Sequence, residues 1–195
     1  MAKKILVILA HPRKGSFSDV LADAYIEGAK NSGAEFKEIV LRELKFDPIL
    51  WKGYNTSQKL EPVLKKAQED IQWADHLVLV YPLWWGSVPA LLKGFIERVF
   101  LQGFALRYKK NPHVVITEPC FKNKSAHLIV TMNAHPLIYQ LVIGNHGFKL
   151  MKKAILGVCG IKPVRITKIG HMSLKTKAKR QKWVEKIKRK GKKLL

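Results

Sequence analysis

Acidic residues are almost missing from the second half of this chain. Residues 99–195 carry 22 Lys and Arg against two acidic side chains, whereas residues 1–98 carry 14 against 12. A field so lopsided attracts phosphorylated cofactors, nucleic acid or anionic lipid alike. Cysteine is scarce too. Cys120 and Cys159 are the only two, far apart and outside any CxxC spacing. That excludes a disulfide framework and a cysteine-rich zinc site, favours a reducing, cytoplasmic setting, and leaves both thiols as small buried hydrophobes. Long apolar runs are absent as well. The uncharged stretch at residues 76–92 is broken by Pro82, Gly86 and Pro89 and falls short of the roughly 20 residues of a membrane span. The N-terminus enters a strand-like run with no secretory h-region before it.

Two phosphate-binding signatures are missing. There is no GxxxxGK[ST] loop, and Gly15 stands alone where GxGxxG would need three glycines. His11, His76, His113, His127 and His171 show no metal-ligand spacing. P-loop, Rossmann-type dinucleotide and metal chemistry are all disfavoured.

What remains is a chain of 195 residues, 47% hydrophobic, sized for one domain over residues 1–195 with an ordinary core. Residues 3–10 (KKILVILA) form a nearly continuous apolar run, the mark of a strand covered on both faces. Ser18 or Asp19 is placed to cap the helix that follows, which Gly33 ends. Residues 35–41 give a second strand. Residues 42–58 lack a period and read as a surface excursion of functional interest. Helix returns over residues 60–73, with Pro62 in its first turn. Residues 76–81 (HLVLVY) give a third strand, and Val88, Leu91, Leu92, Phe95, Ile96, Val99 and Phe100 form one helical stripe. A fourth strand covers residues 125–132, a helix 148–157, a fifth strand 164–170 and a last helix about 175–193. Such alternation predicts an α/β fold: a doubly wound, five-stranded parallel sheet of order 2-1-3-4-5. Its ligand crevice opens between the ends of the first and third strands.

Both strand ends carry unusual loops. His11, Ser16 and Ser18, at a helix N-terminus, are equipment for an anion; the same residues also serve as ordinary caps. Tyr81-Pro82-Leu83-Trp84-Trp85-Gly86-Ser87-Val88-Pro89 places two indoles in a stiffened turn, suited to walling a planar ring or to core and interface packing. Beyond the fourth strand come Thr131-Met132-Asn133-Ala134, then Tyr139 and His146, a candidate donor pair for an oxygen that gains negative charge or simply surface and core residues.

Together these segments resemble the flavodoxin-like NAD(P)H:quinone oxidoreductases, the DT-diaphorase group and its short bacterial relatives. LAHxxxxSF occurs as Leu9-Ala10-His11 through Ser16-Phe17, and PLxWxxxPAxLKGxxERVF occurs from Pro82 to Phe100. Phe104-Ala105, Tyr108, Thr131, Tyr139, His146-Gly147 and Cys159-Gly160 follow in order. The resemblance implies a flavin, FAD or FMN, with NAD(P)H as co-substrate. His11, Ser16, Phe17 and Ser18 would hold its phosphate part. Pro82, Leu83, Trp84, Trp85 and Gly86 would line its ring, and Thr131, Met132, Asn133 and Ala134 would bound the other edge. Tyr139 and His146 would be catalytic, with Tyr139 also touching the flavin.

Leu106 and Tyr108 would face a quinone-like substrate, across the interface of a homodimer, in a ping-pong cycle of hydride transfer. There are departures. Thr131-Met132-Asn133-Ala134 replaces the family's Thr-Thr-Gly-Gly, Leu106 replaces a tyrosine, and one extra residue separates Tyr139 from Gly144.

Two other classes stay open. One is a flavodoxin-type electron carrier. The other is a regulatory flavin-fold partner of a membrane transporter. The basic C-terminal helix reads as a solvated face, with weak contact to anionic membrane or acidic protein as the alternative. Nucleic acid is not an expected partner, because no recognition motif accompanies the charge.

Overall fold

The run KILVIL makes strand β1 (Lys4–Leu9), buried at every position but the first. In the computed structural model, which describes residues 2–54, 56–109 and 116–194, β1 sits inside a parallel sheet. Its neighbours are β2 (Glu35–Val40) and β3 (His76–Pro82). Strands β4 (Leu106–Lys109) and β5 (Ile116–Pro119) pair with each other as an antiparallel hairpin outside that sheet. Strands β6 (Ser125–Thr131) and β7 (Val164–Ile169) complete it, giving the order β2-β1-β3-β6-β7. The expected 2-1-3-4-5 winding is therefore present, with the hairpin added between its third and fourth members. Register pairs Leu9 with Val80 and Pro82 with Thr131. Three loops thus leave the sheet side by side at its carboxyl edge.

Helix α1 (Phe17–Lys30) starts two or three residues before the sequence suggested. Ser16, rather than Ser18 or Asp19, is its cap. The Ser16 Oγ accepts from the Asp19 amide, while the Asp19 carboxylate accepts from the Ser16 amide at 2.6 Å. This reciprocal arrangement satisfies two orphan donors of the first turn. Helices α2 (Pro62–Trp73) and α3 (Ala90–Val99) cover the opposite face of the sheet. Pro62 occupies the first helical position, where a missing N–H costs nothing.

Two short helices were not legible in the sequence as such. Helix α4 (Pro136–Ile143) ends at Gly144, whose φ of 72° is the left-handed conformation a helix stop favours. Helix α5 (His146–Lys149) runs directly into wide, π-type turns over Leu150–Gly157. Among the described residues of the excursion at 42–58, the only helical turn is Leu41–Glu43, at its start. It is nevertheless pinned. Arg98, 1% exposed, bonds the carbonyls of Asp47 and Lys59 and pairs with Glu61 at 2.8 Å.

The last helix, α6 (Lys177–Lys192), is part of the core rather than a detachable arm. It lies along α1 so closely that a Cβ on Gly28 would sit 2.0 Å from the Lys188 carbonyl. Ile187 is fully buried there, while Trp183 and Val184 pack around it. Among the described residues no helix is long and apolar enough to cross a membrane.

Candidate functional site

The loop after β3 reverses in a two-residue turn. Trp84 and Ser87 exchange backbone hydrogen bonds of 3.0 and 2.9 Å, with Trp85 at φ 48° and Gly86 at φ 71°. Positive φ at both central positions defines a type I′ turn. For a tryptophan that conformation costs roughly 1–2 kcal/mol, so tertiary contacts must hold it. They come from the next loop. The buried Tyr139 hydroxyl donates to the Gly86 carbonyl at 3.1 Å and accepts from the Gly147 amide at 3.3 Å. Gly147 lies against the turn so tightly that a Cβ would come 2.2 Å from the Gly86 oxygen.

These loops enclose a cavity of about 710 Å³ at the carboxyl edge of the sheet. One wall is the β1–α1 loop, through His11, Arg13, Gly15, Phe17 and Ser18. A second is Pro82, Leu83, Trp84 and Gly86, with Tyr139 behind them. A third is Thr131, Met132, Asn133 and Ala134. The fourth was not anticipated: Met172 and Ser173 from the loop after β7, and Arg180 from α6. The general rule that ligands sit outside the carboxyl ends of strands points to β7 as well. Its distance from the reversal between β1 and β3 hid it.

The first wall is chemically specific. His11 accepts the Arg13 amide at Nδ1, 3.0 Å. Its ring meets Trp84 edge-on at 5.6 Å. Burial, assisted by the Arg13 charge, lowers its pKa below the ordinary imidazole value. A neutral ring accepting at Nδ1 carries its proton on Nε2, as a donor. Ser18 is 1% exposed, yet its Oγ has no hydrogen-bond partner. The first-turn amides of Phe17 and Ser18 have no intrahelical acceptor, as in any helix. Arg180 stacks its guanidinium over Phe17 at 5.7 Å and bonds the Met172 carbonyl. An unpartnered hydroxyl, helix amides, an imidazole N–H and a guanidinium form a cradle for a phosphate ester.

Most of the anticipated residues therefore share one cavity. Four lie elsewhere. Ser16 is spent on the helix cap. Trp85 points its indole fully into solvent. His146 is exposed, with its ring folded near Gly144. Leu106 and Tyr108 line a separate cavity of about 330 Å³ together with Tyr54 and Phe100. His113 lies outside the described residues. Beneath the site, the Tyr81 hydroxyl is buried without a partner, and burial, with Tyr139 nearby, pushes its pKa up. Among the described residues no group of His, Cys, Asp and Glu is placed to hold a metal ion. Cys159 is buried and Cys120 half-buried, and burial raises the Cys159 thiol to about 11, as an inert core residue requires.

Comparison with known proteins bears on this geometry. A family model described as flavodoxin-like fold matches residues 3–192. Guinea pig (Cavia porcellus) NAD(P)H dehydrogenase (quinone) 1 is 32% identical over 166 residues, covering 74% of this chain and 58% of that protein. This chain thus spans little more than half the length of that relative. A Haemophilus influenzae protein described as an uncharacterized NAD(P)H oxidoreductase is 28% identical, over 87% of this chain and 84% of its own. The crystal structure of Smu.1420 from Streptococcus mutans UA159 superposes with a TM-score of 0.85 at 32% identity, over 97% of this chain and 99% of that one.

Proposed function

The chain belongs to the flavodoxin-like family of NAD(P)H:quinone oxidoreductases, and from that premise we propose that it is a flavin-dependent NAD(P)H dehydrogenase acting on quinones or similar flat acceptors. One observation carries the reading: the buried, unpartnered Ser18 hydroxyl beside the α1 N-terminus and Arg180, in a cavity with an indole wall. When bound, a flavin supplies hydride transfer between NAD(P)H and an acceptor that take turns at the same mouth. The protein's own part is binding, orientation and electrostatics.

Phe17 and Ser18 amides, the Ser18 hydroxyl and His11 Nε2–H would hold the phosphate. Arg180 on Phe17 extends the positive wall past a single phosphate, which supports FAD over FMN. The same surplus of cations favours NADPH over NADH. Leu83, Trp84 and Gly86, with residues 131–134 beside them in the same lining, would bound a planar ring. Tyr139 fixes the Gly86 carbonyl and stands where charge would develop on a reduced ring. His146 would join it through movement of the Gly144 hinge.

Surface chemistry supports a homodimer. On α4, Leu137, Ile138, Leu141 and Val142 are 55–75% exposed, a contiguous apolar face of the kind that marks an interface. Leu106 and Tyr108, which lie outside this cavity, would then serve as substrate residues across the interface between two copies. The test is a visible spectrum of the purified protein before and after anaerobic NAD(P)H, followed by steady-state quinone reduction without added reductase. A protein that stays colourless after incubation with FMN and FAD overturns the proposal. A flavin-loaded protein that dithionite bleaches but NAD(P)H does not would mark a one-electron carrier instead.

A further inference from the structure

The outer side of α6 is a single line of cations. Lys179, Lys182, Lys186, Arg189 and Lys193 are all exposed and follow one another at three- and four-residue steps, which places them on one side of a helix. The line is about 21 Å long at helical rise. Glu185 is the only acidic residue between Lys175 and Leu195. The sole ion pair α6 makes among the described residues is Lys188 with Glu27 of α1, off the line. The apolar side of α6 is already consumed by α1, so the helix has nothing to insert into a hydrocarbon layer. Its contact is ionic and superficial.

We propose that this face docks the protein on anionic phospholipid headgroups. Charge complementarity is the basis. Four of the five cations are lysines, compact hydrated point charges suited to a smeared surface charge, where bidentate phosphate recognition would call for arginine. The direction of the line matters too. Its first residues adjoin Arg180, which lines the mouth of the cavity. Beside them the turn Met172–Leu174 presents Leu174, 76% exposed, as an apolar tip. A docked α6 would hold the mouth at the bilayer surface, where apolar quinones dissolve. That last clause rests on the functional reading above; the docking itself does not.

The test is sedimentation of the full chain with sucrose-loaded vesicles of phosphatidylcholine alone, or with phosphatidylglycerol as about one third of the lipid. Binding is expected only to the anionic vesicles and is expected to vanish at high salt. The exposed-face variant K179Q/K182Q/R189Q/K193Q is expected to lose roughly a hundredfold or more in affinity, with an unchanged melting temperature and unchanged turnover of a soluble acceptor. Equal binding by the variant, or no preference for anionic lipid, overturns the proposal. Binding to duplex RNA at physiological salt with none to vesicles also overturns it. A colourless protein that still sediments with anionic lipid would retain the docking face and discard only the enzymatic reading.

Discussion

The hydroxyl of Tyr139 donates to the carbonyl of Gly86 across 3.1 Å, tying the loop after β3 to the helix after β6. It also accepts the Gly147 amide, so one phenol joins three pieces of backbone around the mouth of the cavity. Tyr139→Phe leaves a buried N–H without its partner, at a cost of about 1–3 kcal/mol. The variant is expected to melt earlier, to keep its flavin, and to slow hydride transfer in stopped flow. Adding His146→Ala is expected to slow transfer further with the flavin still bound, since His146 would join Tyr139 at the reduced ring. Wild-type transfer rates in Tyr139→Phe would remove the phenol from the mechanism.

Gly147 tests the same junction sterically. Its Cβ would meet the Gly86 oxygen at 2.2 Å and a Leu83 methyl at 2.9 Å. Neither neighbour is the far end of a long flexible chain, so Gly147→Ala must push the turn at residues 84–87 outward. Overpacking of this kind costs about 1–3 kcal/mol. Flavin affinity by fluorescence titration is expected to fall at least tenfold. If titration gives wild-type affinity, the loop junction does not shape the ring slot.

Ser18→Ala separates binding from folding. The hydroxyl has no partner in the folded protein, so its removal relieves an unsatisfied buried group, and the apo protein is expected to melt at the same temperature or higher. Flavin affinity should drop about tenfold, the worth of a charge-assisted hydrogen bond of roughly 1.5–3 kcal/mol at the lower end. Arg180→Gln should weaken FAD more than FMN. Unaltered affinities for both cofactors in both variants would place the phosphate elsewhere.

The parts of this fold that the sequence reveals are those where one physical signal dominates. The buried strands β1, β3 and β6 are continuous apolar runs, and the α3 stripe is a clean helical period. The hairpin β4–β5 escaped notice because Leu106–Lys109 and Ile116–Pro119 are short and largely exposed, so neither alternation nor burial marks them. Helix α4 escaped for the opposite reason. Its Leu, Ile and Val side chains are all exposed and only Tyr139 is buried, so its apolar pattern marks no core face; Pro136 and Gly144 were the surviving signals. At the site, His11, Phe17 and Ser18 were legible from position at a strand–helix junction. Met172, Ser173 and Arg180 were not, because only tertiary packing of α6 on α1 brings them to that junction.

Arg98 is another residue whose role needed the fold. It is buried and holds the strap at residues 44–60 through Asp47, Lys59 and Glu61. Arg98→Met keeps the volume and strips the charge. Breaking a buried pair by removing one partner costs about 3–5 kcal/mol, and the 29% exposure of the Glu61 side chain lets it rehydrate, so the lower end is expected in urea unfolding. Limited proteolysis should cut the freed strap well before the rest of the chain. A protease-resistant variant with wild-type stability would show the strap to be held by its apolar contacts alone.

His76 sets the response to acid. It is 2% exposed at the start of β3, with Nδ1 on the Ser125 hydroxyl at 2.7 Å and no partner for Nε2. Burial, then the charge of Lys3, pushes its pKa from 6.5 down to about 3. The unfolded chain therefore binds a proton that the folded chain refuses between these two values, so stability falls as pH drops through that window. At pH 5 the loss attributable to this one group is about 2 kcal/mol. His76→Gln keeps a polar group near Ser125 without a titratable ring, and its urea midpoint should decline less steeply from pH 7 to pH 5 than that of the parent. Parallel declines would mean that His76 is protonated in the native state, or relieved by local opening of β3, and that the acid sensitivity resides in other groups.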